Sequence, residues 1–118
     1  MDKLEHIFQL QASFDEDLAR RRKLAFTQRE WVLREVLAIV AELGELLEAA
    51  SFKWWKDEQP IDREAVRGEL VDILHFFTAA CLKVGISAEE LYQGYLVKNA
   101  ENFRRQDGDT GRAGYKSG

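Results

Sequence analysis

Proline is scarce in this sequence and glycine is absent from long segments, and both absences favour long helices. The single proline is Pro60, and no glycine occurs before Gly44. Both residues commonly interrupt helices, so segments without them should form long helical elements. Alternating strand patterns are missing as well. We therefore expect an all-α chain.

The near absence of cysteine and of long apolar runs excludes further classes. One cysteine, Cys81, cannot form an intramolecular disulfide, so we expect a buried structural thiol. The longest apolar stretch, Ile73 to Leu82, contains a histidine and is too short to cross a bilayer. The first residues are charged with no apolar segment behind them, so we expect no signal peptide, no membrane partner and a cytoplasmic protein.

Excess positive charge is also missing. The chain has 17 basic and 21 acidic side chains, a net charge of −4, which argues against a nucleic-acid partner. Its 118 residues are enough for one domain with a modest core, to which oligomerisation would add buried surface. We expect a domain over residues 1–106 and a flexible, glycine-rich tail over residues 107–118.

Apolar periodicity and capping signals predict about four main helices in an antiparallel bundle. The second helix should start after the capping box Thr27 to Glu30, and the third after Asp62 as its N-cap. The third is apolar almost all round, so we expect it at the centre of the bundle. The predicted ranges are about Lys3 to Lys23, Gln28 to about Trp55, Asp62 to about Lys83, and Ala88 to about Arg105.

Two pairs of carboxylates interrupt the apolar runs of the second and third helices. Glu42 and Glu45 form the first pair, and Glu69 and Asp72 form the second. Residues three apart lie roughly 60° apart on a helix, so each pair projects side by side. If the two helices pack antiparallel, the pairs face each other. Four converging carboxylates repel unless a cation lies between them, and Mg²⁺ or Mn²⁺ prefers such oxygens.

Ordinary surface acids are the alternative for the first pair and for Glu48, which is a marginal or spare ligand. Asp72 decides against this alternative, because its apolar neighbours leave little room for a solvated face, and we expect it to be buried. Glu35 is expected at the surface. His75 could support the metal site or touch substrate, and a core histidine is the slightly favoured interpretation.

Basic and aromatic residues accompany the acidic pairs. Two lysines flank an aromatic pair in Lys53-Trp54-Trp55-Lys56, a combination suited to an anionic ligand with a flat ring. A hydrophobic helix end with solvated lysines is the alternative. Further donors suited to phosphate lie near the C-terminus: Lys98, Asn102 and Arg105 on one helical stripe, then Tyr115.

These blocks together resemble the all-α nucleotide pyrophosphohydrolase superfamily, which includes MazG-like enzymes and the dimeric dUTPases. The acids look like its E-x-x-E…E-x-x-D signature. Three further blocks resemble the dimeric dUTPase branch. They are Leu10 to Asp15, Phe52 to Lys56, and Lys98 to Gln106 followed by Gly114-Tyr115. Asp15 stands where many relatives carry asparagine.

The resemblance implies an all-α homodimer, with association of two dimers left open, that hydrolyses dUTP to dUMP and pyrophosphate. It implies Mg²⁺ held by Glu42, Glu45, Glu69 and Asp72. It also implies a uracil and deoxyribose pocket shaped by Gln11, Asp15, Trp55 and Phe76, and phosphate contacts from Lys53, Lys56, Lys98, Asn102, Arg105 and Tyr115.

Glu45 is the carboxylate that we expect both to contact metal and to take the proton from the attacking water. No serine, cysteine or histidine is placed as a nucleophile beside a base. Two alternatives stay open: a broader MazG-like house-cleaning pyrophosphohydrolase, and a catalytically silent helical dimer that acts as an adaptor or regulatory module.

Overall fold

Four α-helices account for most of the chain in the computed structural model, which describes residues 1–108. They are α1 (Lys3–Arg22), α2 (Gln28–Ala49), α3 (Arg63–Lys83) and α4 (Ala88–Gln106). Residues 1–108 contain no strand, so the all-α prediction is confirmed. Tyr115 and nearly all of the predicted tail lie outside the described residues.

Each helix begins at a capping side chain that accepts a hydrogen bond from the backbone three residues on. The caps are Asp2, Thr27, Asp62 and Ser87. At α2 the bond is reciprocal: Thr27 Oγ1 accepts from the Glu30 backbone at 3.2 Å, and Glu30 Oε1 accepts from the Thr27 backbone at 3.3 Å. These bonds satisfy N–H groups that lack partners within the helix, and the predicted starts of α2 and α4 are confirmed.

The predicted end of α2 is wrong. The helix stops at Ala49 rather than near Trp55, and Ser51 has a left-handed backbone with φ of 55°. A non-glycine residue in that conformation cannot continue a right-handed helix. The Lys53 to Lys56 block therefore lies in the irregular segment after α2.

The helices divide into two units, residues 1–85 and the segment from Ile86 onward. Within the first unit, both α1 and α2 pack on α3, so α3 is central there, as predicted. Gln28 near the start of α2 donates to the backbone oxygen of Lys83 at the end of α3, at 3.0 Å. Glu42 approaches Glu69 farther along the two helices. The two helices are therefore antiparallel, as the facing of the acidic pairs requires.

The interior of the first unit is small. Its buried apolar side chains among the described residues are Phe8, Ala79 and Cys81. The buried thiol predicted at Cys81 is confirmed, and burial raises the pKa of this thiol. Among the described residues, no single helix is long and apolar enough to cross a membrane. Only α3 and α4 counted as one segment reach the length and apolar composition of a membrane span.

Candidate functional site

Three of the predicted carboxylates converge where α2 and α3 pack together. Glu42 of α2 and Glu69 and Asp72 of α3 each place one carboxylate oxygen within 4.8 Å of the others. Helical periodicity puts Glu69 and Asp72 on the same side of α3, and the antiparallel register places Glu42 opposite them. Three oxygens at this spacing are close enough to bind a single cation.

Within residues 1–108, every interaction that shifts the pKa of Glu42 raises it, so no basic side chain there offsets the carboxylates of the cluster. A hydrogen bond with the Glu69 carboxyl group, burial, and the nearby Glu45 carboxylate raise the pKa of Glu42 from 4.5 to about 7. The second oxygens of Glu42 and Glu69 are buried, and neither has a hydrogen-bond partner among the described residues. Buried carboxylate oxygens without donors are costly. An all-oxygen set of this kind fits a hard divalent cation such as Mg²⁺ or Mn²⁺.

Glu45 and Asp72 differ in position from the prediction. Glu45 is exposed and interacts with Glu42, but it is not part of the group of three oxygens. Asp72 was expected to be buried, and it is exposed. Its apolar neighbours Leu70 and Val71 are also about half exposed. Apolar residues beside Asp72 in the sequence therefore do not bury its side chain.

A cavity of about 540 Å³ lies between α1 and α3, next to Asp72 along the chain. Its walls are mainly apolar, and its polar residues are Gln11 and His75. The lining residues are Ile7, Leu10, Gln11, Phe14, Val71, Leu74 and His75. The predicted pocket residue Gln11 is therefore placed in a cavity large enough for a flat ring. Phe76 is partly buried on α3 and is not among the lining residues.

Hydrogen bonds link the polar residues of this cavity to a buried charge cluster. Gln11 Nε2 donates to Asp15 Oδ1 at 2.8 Å, and Gln11 Oε1 lies 2.7 Å from His75 Nδ1. Lys83 donates to Asp15 Oδ2 at 3.2 Å and lies 3.9 Å from Glu35 Oε1. Asp15 thus lies behind Gln11. His75 is exposed and bonded to Gln11, so the favoured interpretation as a core histidine is wrong.

Glu35 was expected at the surface and is instead only 9% exposed. Burial raises its pKa, the Lys83 ammonium lowers it, and the Asp15 carboxylate raises it further. Lys83 also lies 4.7 Å from the ring centre of Trp31, a cation–π distance. Neither Glu35 nor Lys83 was a predicted site residue. Helical periodicity cannot predict that these two residues are paired and largely buried, because the partners of each lie on other helices.

The Lys53 to Lys56 block forms a second concave surface after α2. A cavity of about 170 Å³ is lined by Glu48, Ser51, Phe52, Lys53, Lys56, Asp57 and Gln59. Lys53 Nζ lies 3.6 Å from Glu48 Oε1, so Glu48 pairs with a lysine. Trp55 is 58% exposed and contacts Phe52 and Trp54 edge to face. The structure brings both lysines to one cavity and leaves Trp55 accessible.

The predicted phosphate contacts near the C-terminus belong to the second unit. Lys98 and Asn102 are exposed on α4, and Arg105 forms an ion pair with Glu101. Their roles toward phosphate stay predictions.

Comparison with known proteins gives a family match and three phage relatives. A family model described as dUTPase matches residues 3–87. A dCTP pyrophosphatase of Enterobacteria phage LZ5 is 40% identical over 76 residues, which cover 54% of this chain and 44% of that protein. The dCTP pyrophosphatase of Enterobacteria phage T4 is 38% identical over 88 residues, covering 63% and 52%.

A DNA replication protein of phage T4 is 35% identical over 80 residues, covering 56% of this chain and 20% of that protein. The chain therefore spans about half the length of the two pyrophosphatases it matches. No solved structure shows significant similarity.

Proposed function

The chain belongs to the dUTPase family, and from that premise we propose that it hydrolyses a deoxynucleoside triphosphate to the monophosphate and pyrophosphate. The first candidate substrate is dUTP. The observation that carries the proposal is the convergence of Glu42, Glu69 and Asp72, which lie within the matched residues 3–87. Carboxylates that converge without a basic side chain to neutralise them are suited to bind a metal ion, which can in turn bind phosphate.

The proposed cofactor is Mg²⁺, with Mn²⁺ as the alternative, held by Glu42, Glu45, Glu69 and Asp72. A bound divalent ion would supply Lewis-acid polarisation and neutralise phosphate charge. Glu45 is exposed beside Glu42, so its carboxylate is accessible to water. We assign it the proton from the attacking water, a role that requires a carboxylate within hydrogen-bond reach of that water.

Phosphate oxygens would be bound by Lys53 and Lys56, which line one cavity, and by Lys98, Asn102, Arg105 and Tyr115. Cationic and amide donors stabilise phosphate charge without covalent chemistry. Pockets for flat ring systems are lined mainly by apolar side chains, with a few polar groups that fix the orientation of the ring. The cavity containing Gln11 has that composition, so we place the base there, with Asp15, Trp55 and Phe76 as the remaining members of the predicted base and sugar pocket.

We also assign the chain a homodimeric assembly. Along α2, apolar side chains recur at helical spacing on the side facing away from α3. They are Leu33, Val36, Leu37, Val40, Leu43 and Leu47, each at least 45% exposed in the isolated chain. Monomeric proteins rarely leave such a continuous apolar surface open to water. A second copy of the chain would cover it with an equivalent surface.

A second candidate substrate, dCTP, is favoured by the phage relatives. The two relatives with the highest identity reported above are named dCTP pyrophosphatases. A nucleotide with cytosine differs from one with uracil only at the base, so the carboxylate cluster would serve either. A broader pyrophosphohydrolase remains the alternative within the same reaction class.

The test is pyrophosphate release by purified protein from a panel of dUTP, dCTP, dTTP, dATP and dGTP, with and without Mg²⁺. We expect Mg²⁺-dependent release, fastest with dUTP. A clear preference for dCTP would make dCTP, rather than dUTP, the proposed substrate. Comparable rates on all five nucleotides would favour the broader pyrophosphohydrolase. If the protein releases pyrophosphate from none of the five nucleotides, the proposal is refuted and the adaptor alternative is favoured.

A further inference from the structure

A chain of hydrogen bonds connects the Lys83 ammonium to the cavity between α1 and α3. Lys83 donates to Asp15 at 3.2 Å, and Asp15 accepts from the amide nitrogen of Gln11 at 2.8 Å. The amide oxygen of Gln11 lies 2.7 Å from Nδ1 of His75. Gln11 is only 7% exposed, so both ends of its amide need partners. The chain ends at Gln11 and His75, which line the cavity.

The direction of each hydrogen bond follows from the groups at the Lys83 end. An ammonium can only donate, and a carboxylate can only accept. Asp15 therefore accepts from Lys83 and from the Gln11 amide nitrogen, which turns the Gln11 oxygen toward His75. That oxygen can only accept, so Nδ1 of His75 must carry a hydrogen. In a neutral imidazole, Nε2 then has a lone pair and no hydrogen.

We propose that Asp15 is a positioning residue that determines which pyrimidine base the cavity prefers, because it holds His75 in the tautomer whose Nε2 accepts a hydrogen bond. This inference rests on the proposed hydrolysis of deoxynucleoside triphosphates. Uracil and cytosine have similar shapes but opposite groups at two positions: N3–H and O4 in uracil, bare N3 and N4–H₂ in cytosine. At either position, an acceptor on His75 pairs with only one of the two bases. The tautomer of His75 therefore decides between them.

The substitution Asp15→Asn reverses this chain. The asparagine keeps its oxygen toward Lys83 and presents its NH₂ group to Gln11, so the Gln11 amide turns over and donates to Nδ1 of His75. Nε2 then carries the hydrogen. We compare kcat/KM for dUTP with kcat/KM for dCTP. In Asp15→Asn we expect this ratio to shift by about tenfold or more, away from the nucleotide that the unmodified protein prefers.

Asp17→Asn is the matched control on the same helix. Asp17 pairs with Arg20 at 2.6 Å and with Arg21 at 2.8 Å on the surface, outside the hydrogen-bond chain. The nucleotide ratio of this variant should equal that of the unmodified protein. A ratio that Asp15→Asn also leaves unchanged would overturn the proposal.

A second measurement needs no substrate. In protein labelled with ¹⁵N-histidine at about pH 8.5, where imidazole side chains are ordinarily neutral, NMR reports which ring nitrogen carries the hydrogen. We expect Nδ1–H at His75 in the unmodified protein and Nε2–H in Asp15→Asn. The other histidine, His6, should be the same in both, and a His6→Gln variant assigns the signals.

If Asp15→Asn does not fold, the unmodified protein decides alone: Nε2–H at His75 would overturn the proposal, and Nδ1–H would support it. The two proposals fail in different ways. If the protein hydrolyses no nucleotide, the proposed function is refuted, and with it the role of Asp15 in base preference. If that protein still shows the expected tautomers of His75, the direction of the hydrogen bonds is confirmed.

Discussion

The carboxyl groups of Glu42 and Glu69 lie on antiparallel helices, and each places an oxygen within 4.8 Å of the other and of Asp72. Glu42 has a pKa of about 7 because it can share a proton with Glu69 and is partly buried beside other carboxylates. A proton and a divalent cation therefore compete for the same oxygens.

The first prediction concerns stability against pH in metal-free protein. The pKa of Glu42 is about 7 in the folded chain, above its ordinary value of 4.5, so folding favours the protonated form. Its contribution to stability is complete below pH 4.5 and is lost as pH rises through 7. Thermal unfolding from pH 4 to 8 should show a fall in Tm in this window that a Glu42→Gln variant lacks. Parallel pH profiles for the two proteins would contradict the assignment.

The second prediction concerns Mg²⁺. Binding must displace the proton shared by Glu42 and Glu69, so the increase in Tm on adding Mg²⁺ should be larger at pH 8 than at pH 5. The same titration with Glu69→Gln should give a much smaller increase at both pH values. An equal increase in the unmodified protein and the variant would place the ion elsewhere.

The third prediction concerns activity. Glu69→Gln and Asp72→Asn remove proposed metal ligands and should lower kcat/KM by about a hundredfold or more. Neither should lower Tm, because each substitution reduces repulsion among carboxylates. Glu64→Gln is the control on the same helix, since Glu64 is exposed and paired with Arg67 at the surface. Full activity in Asp72→Asn would remove Asp72 from the metal site.

The fourth prediction concerns the buried charges around Lys83. Lys83→Met leaves Asp15 and Glu35, with side chains 17% and 11% exposed, without a cation. We expect the free energy of unfolding in urea to fall by about 3 kcal/mol at pH 8. The loss should be smaller at lower pH, because burial raises the pKa of Glu35 and its carboxyl group then protonates more readily. Lys3→Met, an exposed position on α1, should change stability by less than about 0.5 kcal/mol.

The fifth prediction concerns assembly. Leu37 and Val40 are 67% and 58% exposed on α2, so Leu37→Glu and Val40→Glu should shift the proposed dimer toward monomer in sedimentation experiments. The double variant should show a Tm that no longer rises with protein concentration. Gln9→Glu adds the same charge to an exposed position of α1 and should leave the sedimentation coefficient unchanged. A monomeric unmodified protein would refute the dimer.

Local sequence signals were sufficient for the helices themselves. Thr27, Asp62 and Ser87 cap helices as predicted, because capping requires only a side chain and a backbone N–H three residues away. The acidic pairs were also visible, since residues three apart share a helix face. The end of α2 was missed because the apolar Phe52 to Trp55 segment continues a helical pattern, whereas the backbone at Ser51 interrupts it.

Tertiary structure decided everything that depends on a partner from another helix. The periodicity of α2 assigned Glu35 to the surface, but Lys83 of α3 and Asp15 of α1 form a buried charge cluster with it. His75 looked like a core residue, and its hydrogen bond with Gln11 exists only because α1 packs on α3. Asp72 looked buried because its neighbours are apolar. The amino-acid order thus specified which groups lie on each helix face, and helix packing specified which faces meet and which remain open to solvent.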